Sequence, residues 1–387
     1  MGGDSCDAGR NSEGSLSVAV SAGPHKRASR QLTRQLTFVD VERSFAMAGE
    51  NGNPIERGDA ANGSNGNGCL ANGNSIANGS KNYENDNRKV VIVTGATSGI
   101  GLALARHLHS TQNYRVALVG RNIERATKIS SSFNDPSSAQ FFRCDVASYD
   151  SQKEMFLSVW KTWGRIDVCC LNAGIVDVGD LYNFRKNGEV EGKVEDMPDE
   201  PDLSATDVCY KGVIYGVRLA THFMRFNSVG SLSGESGTPM PRGRIIVDAS
   251  IGGVFPHPNY PEYCGAKAAV IHFVRTTAEL YKRKEGVWLN VVLPGIVATP
   301  IMPQECINAV SEECLTPVST VIAAHDVFIN DQTGEVGKVL EASMDKLCWY
   351  ELPEPKNGYK TMRPVTVWEP LFKTMHGVES GLDNAMP

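Results

Sequence analysis

From Lys89 onward, short apolar runs rich in Val and Ile alternate with longer segments in which apolar residues recur at helical spacing. KVVIV, RVALV, IDVCCL, RIIVDA and WLNVVL are too short and too continuously apolar for an amphipathic helix. They predict strands buried on both faces. Between them, stretches such as 99–110 and 205–226 predict helices. Strand, helix, strand in that rhythm requires crossover connections, so the strands should run parallel in one sheet covered on both faces. The expected architecture is α/β: a single doubly wound parallel sheet with helices on both faces over about 88–345, then a C-terminal extension over 346–387. Two stretches interrupt it, one from about Asp177 to Leu203, acidic and strand-poor, the other from Asn227 to Gly243, rich in Gly, Ser and Pro. Both read as surface insertions.

Residues 1–87 follow a different pattern. Gly, Asn and Ser dominate, and ANG recurs at 61, 71 and 77. A segment with so few large apolar groups cannot offset its ordering entropy, and a disordered tail is expected. Within it, 26–43 is richer in Arg, with Leu32, Leu36 and Val39 at helical spacing. It reads as a solvated tail, with a transit peptide or a docking helix as alternatives. Met-Gly2 begins a myristoylation-like start, but Cys6 stands where Ser or Thr is wanted. Met47 is a second candidate start.

Composition narrows the function classes. With 38 basic and 44 acidic residues the formal net charge is −6, which offers no footprint for a nucleic acid or an anionic membrane. No apolar stretch reaches the ~20 residues of a membrane span, and no secretory h-region is seen. Ten cysteines lie scattered without a CxxC pair. That argues against a metal site and for free thiols in a reducing, cytoplasmic compartment, organellar targeting by the tail staying open.

The candidate chemistry begins at VVIVTGATSGIG, where Gly95, Gly99 and Gly101 occupy the turn from the first strand into the first helix. Glycine is needed there because the backbone turns sharply, approaches a pyrophosphate closely and presents helix N-terminal amides to it. The spacing Gly-x-x-x-Gly-x-Gly, with Thr94 before it, resembles the short-chain dehydrogenase/reductase superfamily, a Rossmann-type fold. The resemblance implies a cofactor seated by Thr94, Gly95, Ser98, Gly99, Ile100 and Gly101. It further implies an adenine contact at Asp145 and Val146, the NAG motif at Asn172, Ala173 and Gly174, and a nicotinamide seat at Pro294, Gly295, Val297 and Thr299. At the end of the second strand an NAD-preferring site would hold an acid, whereas this chain reads Gly120-Arg121-Asn122. A guanidinium can hold a 2′-phosphate bidentately, so NADP(H) is favoured, with NAD(H) kept open.

YCGAK places Tyr263 and Lys267 at i and i+4, on one face of a helix. A phenol of pKa ~10 is a poor base near neutrality unless a cation favours its ionised form. At ~4 Å and an effective dielectric of ~20, an ammonium supplies at most ~4 kcal/mol, or about three pKa units. Ser250 ends the fifth predicted strand in DASIGG, thirteen residues before Tyr263, on the side of the sheet where the glycine turn lies. That spacing resembles the superfamily's Ser, Tyr, Lys triad. The resemblance implies that Tyr263 exchanges the proton with the substrate oxygen, Ser250 hydrogen-bonds that oxygen, and Lys267 tunes the tyrosine and holds the nicotinamide ribose.

One departure stands out: CYKGVIYG carries Cys209 where the family carries an Asn linked to a water chain behind the lysine. A thiol bonds more weakly than an amide, so a slower proton relay is expected. Phe255, His257 and Tyr260 in the loop VFPHPNYPE are candidate substrate contacts, and by family analogy Ile301, Met302, Cys306 and Ile307 form an apolar lid. The core resembles most the branch of 15-hydroxyprostaglandin dehydrogenase and its fungal-type relatives, which implies a hydrophobic alcohol or ketone from lipid or secondary metabolism and a homodimer or homotetramer. Against the enzyme reading stands a nucleotide-binding regulatory or scaffold protein weakened through Cys209.

Overall fold

The computed structural model describes residues 87–386 apart from 134, 136, 184–192 and 228–239. The readings of the N-terminal tail, including 26–43, Gly2, Cys6 and Met47, lie outside the described residues.

In β1 (Lys89–Thr94) every residue after Lys89 is buried. The reason is visible in its alternation: Val90 and Ile92 join one core, Val91 and Val93 the core on the opposite face. A strand packed on both faces has no polar side, hence the unbroken apolar run. The same holds for β2 (Tyr114–Gly120), β4 (Val168–Leu171), β5 (Gly243–Asp248) and β6 (Val287–Pro294). With β3 (Ala139–Arg143), β7 (Val339–Ser343) and β8 (Lys346–Trp349) they form one sheet in the order β3-β2-β1-β4-β5-β6-β7-β8. All neighbours pair in parallel except β7 with β8. This is the doubly wound α/β fold expected from the sequence.

β3 and β8 lie at the edges, β3 partly exposed and β8 entirely so. Edge strands need no continuous apolar run, which is why β8 did not stand out in the pattern. β8 falls within the segment read as an extension and continues the sheet.

The crossover helices α1 (Gly99–Ser110), α2 (Ile123–Ser130) and α3 (Tyr149–Trp163) follow the first three strands. After β4, the helix α4 opens with a turn at Ser204–Thr206, passes through a π-helical turn at Asp207–Lys211 and continues regularly over Gly212–Met224. α5 (Pro261–Glu285) starts with proline in its first turn, where a missing N–H costs nothing, and ends at Gly286 in the left-handed region, φ 66°. α6 (Gln304–Ala309) and α7 (Val318–Ile329) precede β7, and α8 (Tyr359–Met362) and α9 (Glu369–His376) follow β8. α3, α4 and α5 cover one face, α1 and α7 the other.

The expected insertions are not purely superficial. Asn227 is buried, accepting from Ile166 N at 3.2 Å and donating to Ile166 O at 2.6 Å and Arg242 O at 2.7 Å. Among the described residues no helix is long and apolar enough to cross a membrane.

Because successive strands step leftward to β3 and rightward to β8 from the β1/β4 pair, the connections part above the carboxyl ends of those two strands. A crevice opens at such a switch point.

Candidate active site

The crevice is a cavity of about 420 Å³. Its floor is the glycine turn. Gly95 and Gly99 adopt φ 71° and 52°, the left-handed region that favours glycine. Gly101 lacks space as well: a Cβ there would lie 2.5 Å from Asn172 Nδ2 and 2.6 Å from Gly95 O. Asn172 donates to Thr94 O at 2.9 Å, and Ala173 N donates to Thr94 Oγ1 at 3.0 Å, so the end of β4 is stitched to the turn after β1. Thr94 and Gly101 therefore sit behind the cavity wall, while Gly95, Ser98, Gly99 and Ile100 line it. The N–H groups that open α1 point at this space, a setting suited to a pyrophosphate.

The remaining expected cofactor contacts converge here. Arg121, Asn122, Asp145, Val146, Asn172, Ala173, Gly174, Pro294, Gly295, Val297 and Thr299 all line the cavity. Asn122 also caps α2, its side chain accepting from Arg125 N at 2.8 Å. Asp145 accepts from Ala147 N at 3.1 Å, shaping the turn it also presents to the crevice.

Ser250, after β5, and Tyr263 and Lys267, on α5, meet on the same wall. Ser250 Oγ accepts from Gly252 N at 3.0 Å, which opens a 3₁₀ turn at Ile251–Gly253. That turn lies hard against α5: a Cβ on Gly253 would be 2.8 Å from the carbonyl carbon of Lys267. A point beside Gly252 lies 3.4 Å from Ser250 Oγ and 3.7 Å from Tyr263 Cε1, so the serine and the tyrosine ring face one space. Lys267 is buried, donates to Asp248 O at 2.6 Å and sits 5.6 Å from the Tyr263 ring centroid. Burial opposes its charge, but Cys209, Tyr263 and Asp248 outweigh that, so Lys267 titrates above the ordinary lysine value. The site thus holds a fixed cation beside a phenol.

A family model described as short chain dehydrogenase matches residues 89–307. The chain belongs to the short-chain dehydrogenase/reductase family. It is 48% identical over 307 residues to the short-chain dehydrogenase/reductase prx6 of Penicillium rubens, covering 77% of this chain and 98% of that protein. It is also 32% identical over 220 residues to the 15-hydroxyprostaglandin dehydrogenase [NAD(+)] of Rattus norvegicus, covering 56% of this chain and 71% of that protein. The human 15-hydroxyprostaglandin dehydrogenase [NAD(+)] is 30% identical over a stretch of the same length. The protein is accordingly an oxidoreductase of the nicotinamide-dependent type that acts on CH–OH groups.

This short-chain dehydrogenase/reductase holds its tyrosine helix by Asp177, the first residue of an expected surface insertion. Asp177 accepts from Glu262 N at 2.9 Å and Tyr263 N at 2.7 Å, placing a carboxylate on the first N–H groups of α5. Glu262, buried, in turn accepts from Thr206 N at 2.6 Å at the start of α4. The only signal was an acid shortly after the NAG motif, and a separation of 86 residues hides its partner. Asp177→Ala is expected to cost about 1 kcal/mol of stability, the usual value of a lost cap, and to lower turnover by loosening the helix start. Chemical denaturation alongside kcat measures both; unchanged stability would refute the cap.

Cys209 lies in the π-helical turn, fully buried, and its thiol donates to Ile175 O at 3.3 Å. A Cβ on Gly174 would sit 3.5 Å from its sulfur and 3.6 Å from Lys267 Nζ, so the thiol flanks the lysine. On the substrate side, His257 and Tyr260 line the cavity and lie 5.1 Å apart between ring centroids. Phe255 does not line it and is 58% exposed. Of the expected lid, Ile301 and Met302 line the cavity, and Cys306 Sγ lies 3.9 Å from Tyr260 Oη.

Two further residues escaped sequence reading. Arg125, one turn into α2, lines the cavity near Arg121. Thr97 packs over Gly120, where a Cβ would lie 3.0 Å from Thr97 Cγ2. Among the described residues no group of three His, Cys, Asp or Glu side chains could hold a metal ion.

Proposed function

We propose that this short-chain dehydrogenase/reductase is an NADP(H)-dependent enzyme that interconverts a secondary alcohol and a ketone on a hydrophobic small molecule of lipid or secondary metabolism. The observation that carries the reading is the buried Lys267 ammonium, anchored on Asp248 O and facing the Tyr263 ring in a crevice floored by the glycine turn. The turn glycines pack against Asn172, Ala173 and Thr299 without room for a Cβ, so bare backbone faces the crevice, which fits a dinucleotide. When bound, the nicotinamide supplies the hydride chemistry.

The chain's own residues supply the rest. Tyr263 Oη gives or takes the proton at the substrate oxygen. Ser250 Oγ already accepts from Gly252 N, so its O–H remains free to donate to that same oxygen. Lys267, held charged, steadies the tyrosine electrostatically and reaches the ribose of the cofactor. Ile175, Val176, Val208, Ile301 and Met302 give the substrate end an apolar wall, which supports a hydrophobic substrate.

The cofactor choice rests on Arg121 and Arg125, two guanidinium groups at the end of β2 where a 2′-phosphate would sit. An acid in place of Gly120 would have to push Thr97 aside. The prostaglandin dehydrogenases bear NAD(+) in their names, and in this reading the present chain parts from them at that position. In this reading the catalytic unit spans about 88–345 and acts as a homodimer or homotetramer.

Incubation with NADPH and a panel of ketones, followed at the nicotinamide absorbance, tests the activity; no turnover with intact NADPH binding would favour a weakened, nucleotide-binding regulator, a reading that Cys209 supports. Arg121→Ser is expected to lower the preference for NADPH over NADH by about tenfold, the order of one charge-assisted contact. An unchanged preference would sink the NADP(H) assignment.

A further inference from the structure

Behind the lysine lies a buried pair that the proposed mechanism does not use. Asp248 ends β5, and its carbonyl is the acceptor for Lys267. Its carboxylate turns toward α7, where His325 Nε2 lies 3.0 Å from Asp248 Oδ1. The histidine side chain is 0% exposed and that of the aspartate 4%.

The hydrogen positions follow from the neighbours. His325 Nδ1 lies 2.9 Å from Val321 O, one turn earlier on α7. A carbonyl oxygen only accepts, so Nδ1 carries a hydrogen. In a neutral imidazole the Nε2 lone pair would then lie about 3.0 Å from an ionised carboxylate oxygen, a juxtaposition unfavourable out of water. A proton therefore belongs to the Nε2–Oδ1 contact, as imidazolium beside carboxylate or imidazole beside carboxylic acid. The pair is net neutral in either form.

The contact is too oblique for a good hydrogen bond, and neither Asp248 carboxylate oxygen has another hydrogen-bond partner. The attraction is thus chiefly electrostatic, and it is what holds this carboxylate in place. Lys267 from α5, the Cys170 thiol from β4, and Asp326 on α7, which pairs with His107 of α1 at 2.8 Å, complete the charged and titratable surroundings. Burial opposes the charge on His325, but Asp248, the Val321 carbonyl and Asp326 outweigh it, and the imidazole titrates above its ordinary value.

We propose that His325 is a positioning residue for Lys267: by holding the Asp248 carboxylate on the α7 side of the strand, it fixes the Asp248 peptide so that its carbonyl stays aimed at the lysine ammonium. Without the imidazole, a lone buried carboxylate would be drawn toward the nearest cation, Lys267 itself, and the strand end that carries Ser250 two residues later would turn with it. This rests on the reading of Lys267 as the residue that reaches the cofactor ribose.

The test reads NADPH affinity by fluorescence titration of the full chain, with thermal melting to confirm folding. His325→Leu is expected to weaken NADPH binding about tenfold, the worth of one charge-assisted hydrogen bond lost at the lysine. Asp248→Asn places an amide donor against Nε2 of a neutral imidazole, and is expected to stay within about threefold of the wild type. Should His325→Leu fail to fold, Asp248→Leu/His325→Leu supplies the test, because removing both buried charges is tolerated where removing one is not; with no carboxylate left to be drawn toward Lys267, it is expected to stay within about threefold of the wild type. Nitrogen NMR of the wild-type imidazole is expected to show Nδ1 protonated at neutral pH, with Nε2 carrying or sharing a proton. A folded His325→Leu protein with wild-type NADPH affinity would overturn the proposal, as would a tenfold loss in Asp248→Asn or in the double variant. Lys267→Met separates the two readings. If it binds NADPH normally the site reading fails, whereas weak binding there beside normal binding in His325→Leu removes only the positioning role.

Discussion

Tyr263→Phe is expected to abolish turnover while NADPH binding remains measurable. The substitution removes one oxygen and keeps the ring. The contacts that seat the residue are untouched, because Asp177 accepts from its backbone N–H and not from its hydroxyl. Lys267 still has its anchor at Asp248 O. What disappears is the group proposed to exchange a proton with the substrate oxygen, and a positioned acid or base contributes roughly 10²–10⁴-fold to rate. Ser250, which faces the same space, has an alcohol's acidity and does not replace a phenol as the proton-exchanging group. The fall in kcat is therefore expected near the upper end, about 10³-fold or more. Turnover followed at the nicotinamide absorbance, beside an NADPH titration, reads the two quantities apart. A variant that kept a tenth of the wild-type kcat would remove Tyr263 from the mechanism.

Gly101→Ala is expected to cost both fold stability and cofactor binding. Its methyl would stand 2.5 Å from Asn172 Nδ2 and 2.6 Å from Gly95 O. Neither neighbour can yield cheaply. The amide is committed to Thr94 O, and the carbonyl belongs to the turn whose φ of 71° only glycine adopts without strain. Overpacking of this kind costs about 1–3 kcal/mol, and the relief is a wider turn with the α1 amides displaced from the pyrophosphate. Denaturant unfolding and NADPH titration should both respond. Gly265→Ala is the matched control, because a Cβ there meets nothing within 4 Å and lies within α5. It should stabilise by about 0.5–1 kcal/mol, as glycine to alanine does inside helices. Equal behaviour of the two variants would contradict the close approach at the glycine turn.

The lysine–tyrosine pair is an instance of a local pattern whose meaning depends on distant residues. Four residues apart on a helix, Tyr263 and Lys267 share a face by geometry alone. Nothing in that spacing tells whether the lysine is solvated or buried. Its burial follows from the 3₁₀ turn after Ser250 pressing on α5, and its charge state from Cys209 and Asp248 nearby. Cys209 was legible as a departure from the family pattern, but the use of its thiol on Ile175 O was not.

Much of the molecule was determined by the sequence itself. Strands buried on both faces must be apolar at every position, so the central strands announced themselves, and a turn between strand and helix that admits no Cβ must be glycine. Those constraints act within a few residues of one another and leave a mark in the pattern. The tertiary structure alone decided the rest: the edge strand β8, the Asp177 cap on α5, Arg125 beside Arg121, and the His325–Asp248 pair behind Lys267. Each depends on groups brought together across the fold. An exposed edge needs no apolar run, and a carboxylate that caps a helix 86 residues away looks, in the chain, like any other surface acid.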